Sequence, residues 1–234
     1  MIFQCDAAAL EIRVAAFLSQ DEVLIQEFIN GEDLHTSNQI KFGLPDRGIA
    51  KVLNFRILYG GNEFSFAQDP DFTSVSKSRE YWKEVIEAYY TKYAGISAWH
   101  KKIIKTVIET GELSTPLGRF FKFQKYGGEY TPTTIKNYPV QGTGADIMAL
   151  VRVSAYNRLK KLDLPDCLLV NTVHDSIILD FKDAGLIPVL NDMFHGVFKD
   201  IPANIEKVFG VKFNVPMTCE NQVGSNWGDM VVVN

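Results

Sequence analysis

CLLVNTVHDSIILDF, residues 167–181, decides the fold. Two apolar runs rich in β-branched residues, Cys167–Val173 and Ile177–Phe181, meet at His174-Asp175-Ser176. Such runs, broken by a short polar group, predict a β-hairpin with an acidic tip. Outward from it, Ile2-Phe3-Gln4-Cys5 reads as a short strand ending at Asp6, and Val211–Val223 alternates well enough for a closing strand. Between these strands the pattern is helical. The order strand, helices, hairpin, strand predicts an α+β fold: an antiparallel sheet with helices on one face and an inserted all-helical subdomain.

The helices have readable ends. Leu10, Ile12, Val14 and Phe17 give a helical apolar pattern. Asp21 caps a second helix ending at Gly31, and Asp33 caps a third that contains His35. NEFSFAQDPDF predicts a short helix and then a loop. Ser76–Tyr93 and Gly95–Thr110 predict two longer helices, the latter closed by Gly111. Leu113–Phe123 predicts a hairpin turning at Leu117-Gly118, followed by a loop over Gln124–Pro132. A long helix is expected over Val140–Lys161. Another is expected over Asp183–Lys199, interrupted at Pro188, with a further turn or two over Ala203–Phe209.

One helix has a face of its own. In PDRGIAKVLNFRILYGG, residues 45–61, Asp46 is a good N-cap and Gly60-Gly61 ends the pattern. Arg47, Lys51, Phe55 and Tyr59 recur every fourth residue. Each such step drifts about 40° around a helix, so the four share one broad face. Two cations followed by two aromatics suit a ligand with several negative charges and a flat ring, as in a nucleoside triphosphate. The spacing equally fits a solvated face with two aromatics partly in the core.

Composition is that of a soluble globular chain, and a net charge of −4 does not itself favour nucleic acid. The segment from His100 to Lys136 is locally basic, with Lys101, Lys102, Lys105, Arg119, Lys122, Lys125 and Lys136. It could follow a phosphate backbone or form a solvated face. Cys5, Cys167 and Cys219 are too few and too far apart for a disulfide framework or a zinc site. No apolar run is long enough for a membrane span, and an intracellular, cytoplasmic protein is expected.

Five ordered segments resemble family A DNA polymerases, the bacterial DNA polymerase I group. CDAAALEIRVAAFLSQDE (Cys5–Glu22) resembles the first palm motif and R-x3-K-x3-F-x3-YG (Arg47–Gly60) the fingers helix. TPLGRFF (Thr115–Phe121) resembles the fingers base, NYPVQGTGADIM (Asn137–Met148) the palm helix, and LLVNTVHDSIILDF (Leu168–Phe181) the last palm motif. The resemblance covers essentially the whole chain and implies palm over residues 1–34, fingers over 35–132 and palm again over 133–234. Its implied activity is DNA-templated addition of a nucleotide from a dNTP to a primer 3′-hydroxyl.

Asp6 and Asp175 fall on the family's metal-binding positions. Side by side in one sheet, two carboxylates repel and want cations, and hard oxygen ligands suit Mg²⁺. The resemblance implies two Mg²⁺ ions there. A lone Asp at either place could equally cap its neighbouring element. Glu11 matches the steric gate over the sugar C2′, and Phe55 the aromatic on the incoming sugar and base, where the family has Phe or Tyr. His35, Arg47 and Lys51 match triphosphate contacts, and Lys51 could also protonate the leaving pyrophosphate. Tyr59 matches the residue that takes the template-base position in open fingers. Asn137, Gln141 and His174 match minor-groove contacts to primer–template DNA, and Arg119 is a plausible phosphate contact.

Several positions depart from the family. Ser176 stands where Glu is usual, Ala9 replaces Gln, Arg56 replaces Gly and Thr133 replaces Arg. Thumb and upstream palm have no counterpart; a naturally split enzyme, with a second polypeptide supplying them, and a fragment of a longer protein both fit, and the split enzyme is the expectation. Two other functions compete. Single-subunit RNA polymerases share His174-Asp175-Ser176 and the Lys51 to Tyr59-Gly60 spacing, but Glu11 and Phe55 argue against admitting a 2′-hydroxyl. A non-catalytic module that only binds DNA is the other.

Overall fold

The computed structural model describes residues 1–233. In chain order the elements are β1 (Ile2–Ala7), α1 (Leu10–Ser19), α2 (Glu22–Ile29), α3 (Leu34–Lys41) and α4 (Arg47–Leu58). Next come α5 (Glu63–Gln68), α6 (Pro70–Thr73), α7 (Arg79–Lys92), α8 (Ala94–Thr110), β2 (Glu112–Ser114) and β3 (Phe120–Lys122). The chain continues through α9 (Pro132–Lys161), β4 (Cys167–Val173), β5 (Ser176–Phe181), α10 (Ile187–Phe209), β6 (Cys219–Gly224) and β7 (Val231–Val232). These fall into two compact units: Met1–Glu11 with the residues from Gly142 on, and Ile12–Gln141.

The first unit is an antiparallel sheet of order β4-β5-β1-β6-β7. The α+β expectation, with an antiparallel sheet and helical remainder, holds. Strand β1 alternates: Phe3, Cys5 and Ala7 are buried, while Ile2, Gln4 and Asp6 are half-buried. Directly paired residues share a face, so Phe3 lies with Leu179 and Val223, and Asp6 with Ser176 and Glu220. Helix α10 covers the first of these faces. Its Leu190, Met193, Phe194, Val197, Phe198 and Ile201 form a buried stripe, and Phe194 stacks on Phe3 at 5.6 Å. Asn221 Nδ2 donates to Asn191 Oδ1 of α10 at 2.8 Å. Asp6 therefore sits on the face away from α10.

The second unit is helical apart from the β2–β3 ribbon. Phe66, Phe72 and Trp82 make one aromatic cluster, with centroids 4.7–5.3 Å apart. Asp21 serves two helix starts. Its carboxylate accepts from Leu24 N at 2.9 Å and from Gly95 N, at the start of α8, at 2.7 Å. A Cβ at Gly95 would stand 2.7 Å from Asp21 Cα, so the approach requires glycine.

Several sequence expectations are corrected. Helix α9 begins at Pro132 rather than Val140 and runs through Pro139, forgoing the bond Pro139 cannot donate. Pro188 lies in the first turn of α10, where no N–H is needed, so it starts that helix instead of interrupting it. The helix then continues past Pro202 to Phe209. Residues 211–218 form no strand, and pairing starts only at Cys219. The expected loop at Asp69–Phe72 is the short helix α6, with Asp69 as its cap. Helix α7 starts at Arg79, capped by Ser78, rather than at Ser76.

Candidate active site

In the sheet unit, Asp6 is the penultimate residue of β1 and pairs in register with Ser176, the first residue of β5. Asp175 precedes Ser176 at the hairpin tip, and its carbonyl accepts from Ala7 N at 2.9 Å. The hairpin tip and the end of β1 are thereby tied together. Burial and the Asp6 carboxylate both push the Asp175 carboxyl above the usual carboxylate range, with a smaller push from Glu11. The Ser176 hydroxyl donates to Asp6 Oδ2, and Gln4 Nε2 donates to Ser176 Oγ at 3.4 Å. A hydroxyl donor thus occupies the position where the resemblance implies a carboxylate. His174 is exposed and takes a positive φ of 51°, which the sharp turn demands.

Asp6 and Asp175 are a pair, not a cage. Among the described residues no group of three or more His, Cys, Asp or Glu is disposed to hold a metal. The pair still fits a divalent cation, because two hard oxygen donors that disfavour each other's charge are relieved by one. Other donors would have to come from a ligand or water.

In the helical unit, α3 and α4 bring His35, Arg47, Lys51 and Phe55 together. Arg47 forks onto the N-cap of α3, with Nε donating to Asp33 Oδ2 at 2.7 Å and Nη2 to Asp33 Oδ1 at 3.1 Å. The guanidinium holds the Asp33 carboxyl well below the usual range. Lys51 is exposed one turn further along. The His35 and Phe55 rings lie 6.3 Å apart. Burial, then the Arg47 charge, lower the His35 pKa to about 4 against an opposing pull from Asp33, with Lys51 adding a smaller push in the same direction as Arg47. His35 is thus neutral at physiological pH.

Tyr59 caps the C-terminus of α4, and Gly60 follows with a φ of 93°. Gln141 Nε2 donates to the Tyr59 hydroxyl at 3.1 Å, so these two predicted residues meet. Asn137 is half-buried one turn before Gln141 on α9. Arg119 is exposed beside Gly118 in the β2–β3 turn. Lysines 101, 102, 105, 122 and 125 are exposed, with Lys105 and Lys122 near Glu109 and Glu112.

Sequence reading did not find the partners of three kinds of residue here. Asn54 and Asn38 are buried and hold His35 from behind; a lone polar residue on the apolar side of α4 was the available signal. Lys136 packs against Gly60, where a Cβ would come 3.3 Å from its Nζ and from Thr133 Cγ2, and burial lowers its pKa. Arg56, a departure from the motif, is paired with Asp69 at 2.5 Å.

The chain matches the model of DNA polymerase family A over residues 1–229. It is 28% identical to DNA polymerase I of Lactococcus lactis subsp. cremoris, covering 97% of this chain and 26% of that protein. It is 27% identical to DNA polymerase I of Pseudomonas aeruginosa, covering 97% and 25%. The chain therefore spans about a quarter of these relatives' length. In fold it resembles the POL domain of Pol1 from M. smegmatis, solved in complex with DNA primer–template and dNTP. That likeness has a TM-score of 0.81 at 22% identity, covering 97% of this chain and 40% of the other. No helix among the described residues is long and apolar enough to cross a membrane. The family model, the relatives and the fold agree: this chain belongs to DNA polymerase family A.

Proposed function

We propose that the chain is the palm-and-fingers part of a DNA-templated DNA polymerase, adding a nucleotide from a dNTP to a primer 3′-hydroxyl. The observation that carries this reading is the tie between Asp6 and Asp175 at one end of the sheet, in a chain of this family. Residues 1–34 and 133–234 act as palm and 35–132 as fingers. Asp6 and Asp175 would hold two Mg²⁺ ions together with substrate oxygens. The metal supplies, when bound, charge neutralisation and a lowered pKa for a coordinated hydroxyl.

The chain's own residues divide the remaining work. Arg47, Lys51 and His35 bind the triphosphate, and Lys51 gives a proton to the leaving pyrophosphate. Phe55 packs on the incoming sugar, and Glu11 disfavours a 2′-hydroxyl there. Tyr59 takes the template-base position when the fingers are open. Asn137, Gln141 and His174 read the minor groove of the primer–template, and Arg119 contacts phosphate. Ser176 orients Asp6 by donating to it.

A second polypeptide completes the groove that holds the duplex. Support comes from β4, an edge of the sheet whose Leu168 and Val170 are 56% and 53% exposed. An apolar, unpaired strand edge recruits another strand. Exposed Tyr156 of α9, which lines the same hollow as Leu168, extends the apolar surface. The test is primer extension with dNTPs, by the chain alone and co-expressed with proteins encoded beside it. Extension in the second case and not the first supports both parts. Extension by the monomeric chain alone removes the second polypeptide, and none in either case removes the polymerase reading.

A further inference from the structure

A buried line of hydrogen bonds ends on His35, and its direction is fixed at the far end. Lys92 has only protons to give. Its Nζ lies 2.6 Å from Glu27 Oε1 and donates to Asn38 Oδ1 at 2.6 Å. The Asn38 amide must therefore present its NH₂ on the other side, and it donates to Asn54 Oδ1 at 2.8 Å. Asn54 must then present its own NH₂ to His35 Nδ1, 2.9 Å away. Asn38 and Asn54 are 0% and 1% exposed, so water does not offer their amides alternatives. Turning either amide would set donor against donor in a buried place.

The geometry points to Asn54, Asn38 and Lys92 as positioning residues that hold His35 as the tautomer protonated on Nε2, a neutral donor for a triphosphate oxygen. The relay stands on the hydrogen bonds alone; the triphosphate at its end rests on the polymerase reading. The groups around His35 agree with it. Arg47 and Lys51 repel a proton on the ring, and Asp33, which attracts one, is engaged by Arg47. A neutral ring also keeps its lone pair towards Asn54, whereas an imidazolium would put an N–H there. The design gives a phosphate contact that keeps one protonation state around neutral pH.

The decisive experiment is nitrogen-15 NMR of the full chain labelled at histidine. The expected spectrum at pH 7.5 assigns His35 an unprotonated Nδ1 and a protonated Nε2; the opposite tautomer or a doubly protonated ring overturns the relay. Asn54→Asp should move the proton to Nδ1 and raise the His35 pKa. It should weaken binding of a Mg²⁺-dNTP about tenfold at pH 8, the worth of one charge-assisted hydrogen bond. Binding should recover as the pH falls through the new pKa. Equal weakening at every pH would mean a merely structural role and overturn the proposal. Lys92→Met, at the far end, should broaden or mix the His35 tautomers without touching the phosphate contacts. A single unchanged tautomer there removes Lys92 as the anchor. If wild-type His35 has the expected tautomer but does not respond to saturating Mg²⁺-dNTP, the relay stands and the triphosphate contact falls.

Discussion

The Ser176 hydroxyl donates to the Asp6 carboxylate across the β1–β5 pairing, directly beside Asp175. One strand register thus sets an acid and a neutral donor on the face of the sheet away from α10, with a second acid next to them at the hairpin tip. Ser176→Ala removes the donor while Ser176 itself is buried, so Asp6 loses orientation rather than charge. We expect nucleotide addition to slow about tenfold, with stability changed by about 1 kcal/mol. Single-turnover incorporation and urea unfolding check the two numbers separately.

Mg²⁺ should stabilise the chain, because it relieves the mutual repulsion of Asp6 and Asp175. The expected outcome is a Tm that rises with Mg²⁺ and falls back on chelation. In Asp175→Asn the rise should disappear, and without Mg²⁺ the variant should be at least as stable as wild type. An equal Mg²⁺ response in both would place the ion elsewhere.

His35 makes a pH prediction. Its ordinary pKa near 6.5 is lowered to about 4 in the fold, so the unfolded chain binds more protons between those values. Stability from this group is complete above pH 6.5 and is lost as the pH falls towards 4. The loss should be on the order of 1–3 kcal/mol, reduced by water at the ring's outer edge. His100, lowered to about 3 by burial first, adds a parallel loss. The difference between wild type and His35→Gln across this range isolates His35, and parallel pH profiles would contradict the assignment.

The α4 face can be dissected by kinetics. Lys51→Ala should slow the chemical step by about a hundredfold and leave DNA affinity nearly unchanged, as expected for a lost general acid. Phe55→Tyr should ease use of dideoxynucleotides, since it restores a hydroxyl at the sugar. Glu11→Ala should relax exclusion of ribonucleotides. Reduced DNA affinity with normal incorporation in Lys51→Ala would mean that the face binds something else.

Much of this was legible in the sequence because local chemistry dictated it. The 167–181 hairpin follows from two β-branched runs, and the caps Asp21, Asp33 and Asp46 mark helix starts that the structure keeps. Proline misled where its neighbours override it. Pro139 lies within a helix and Pro188 opens one. β7, two residues long, carries no periodicity to read. The α4 face stood out by its regular spacing, while the roles proposed for its residues came from the resemblance to the family. The support behind His35 did not stand out, because its partners Asn54, Asn38 and Lys92 come from three helices and meet only once the unit is packed. Ser176 read as a departure from a motif, and only the strand register gave it a partner.

The central claim is that Asp6 and Asp175 serve template-directed nucleotide addition. The most direct measurement is single-nucleotide incorporation on a primer–template, by the chain purified with the proteins encoded beside it, under single-turnover conditions. The account predicts addition of the dNMP complementary to the template base. Asp6→Ala and Asp175→Ala should each lower its rate by at least a thousandfold, worth about 4 kcal/mol, in complexes that still assemble and bind DNA. Incorporation within tenfold of wild type by either well-folded variant would contradict the account.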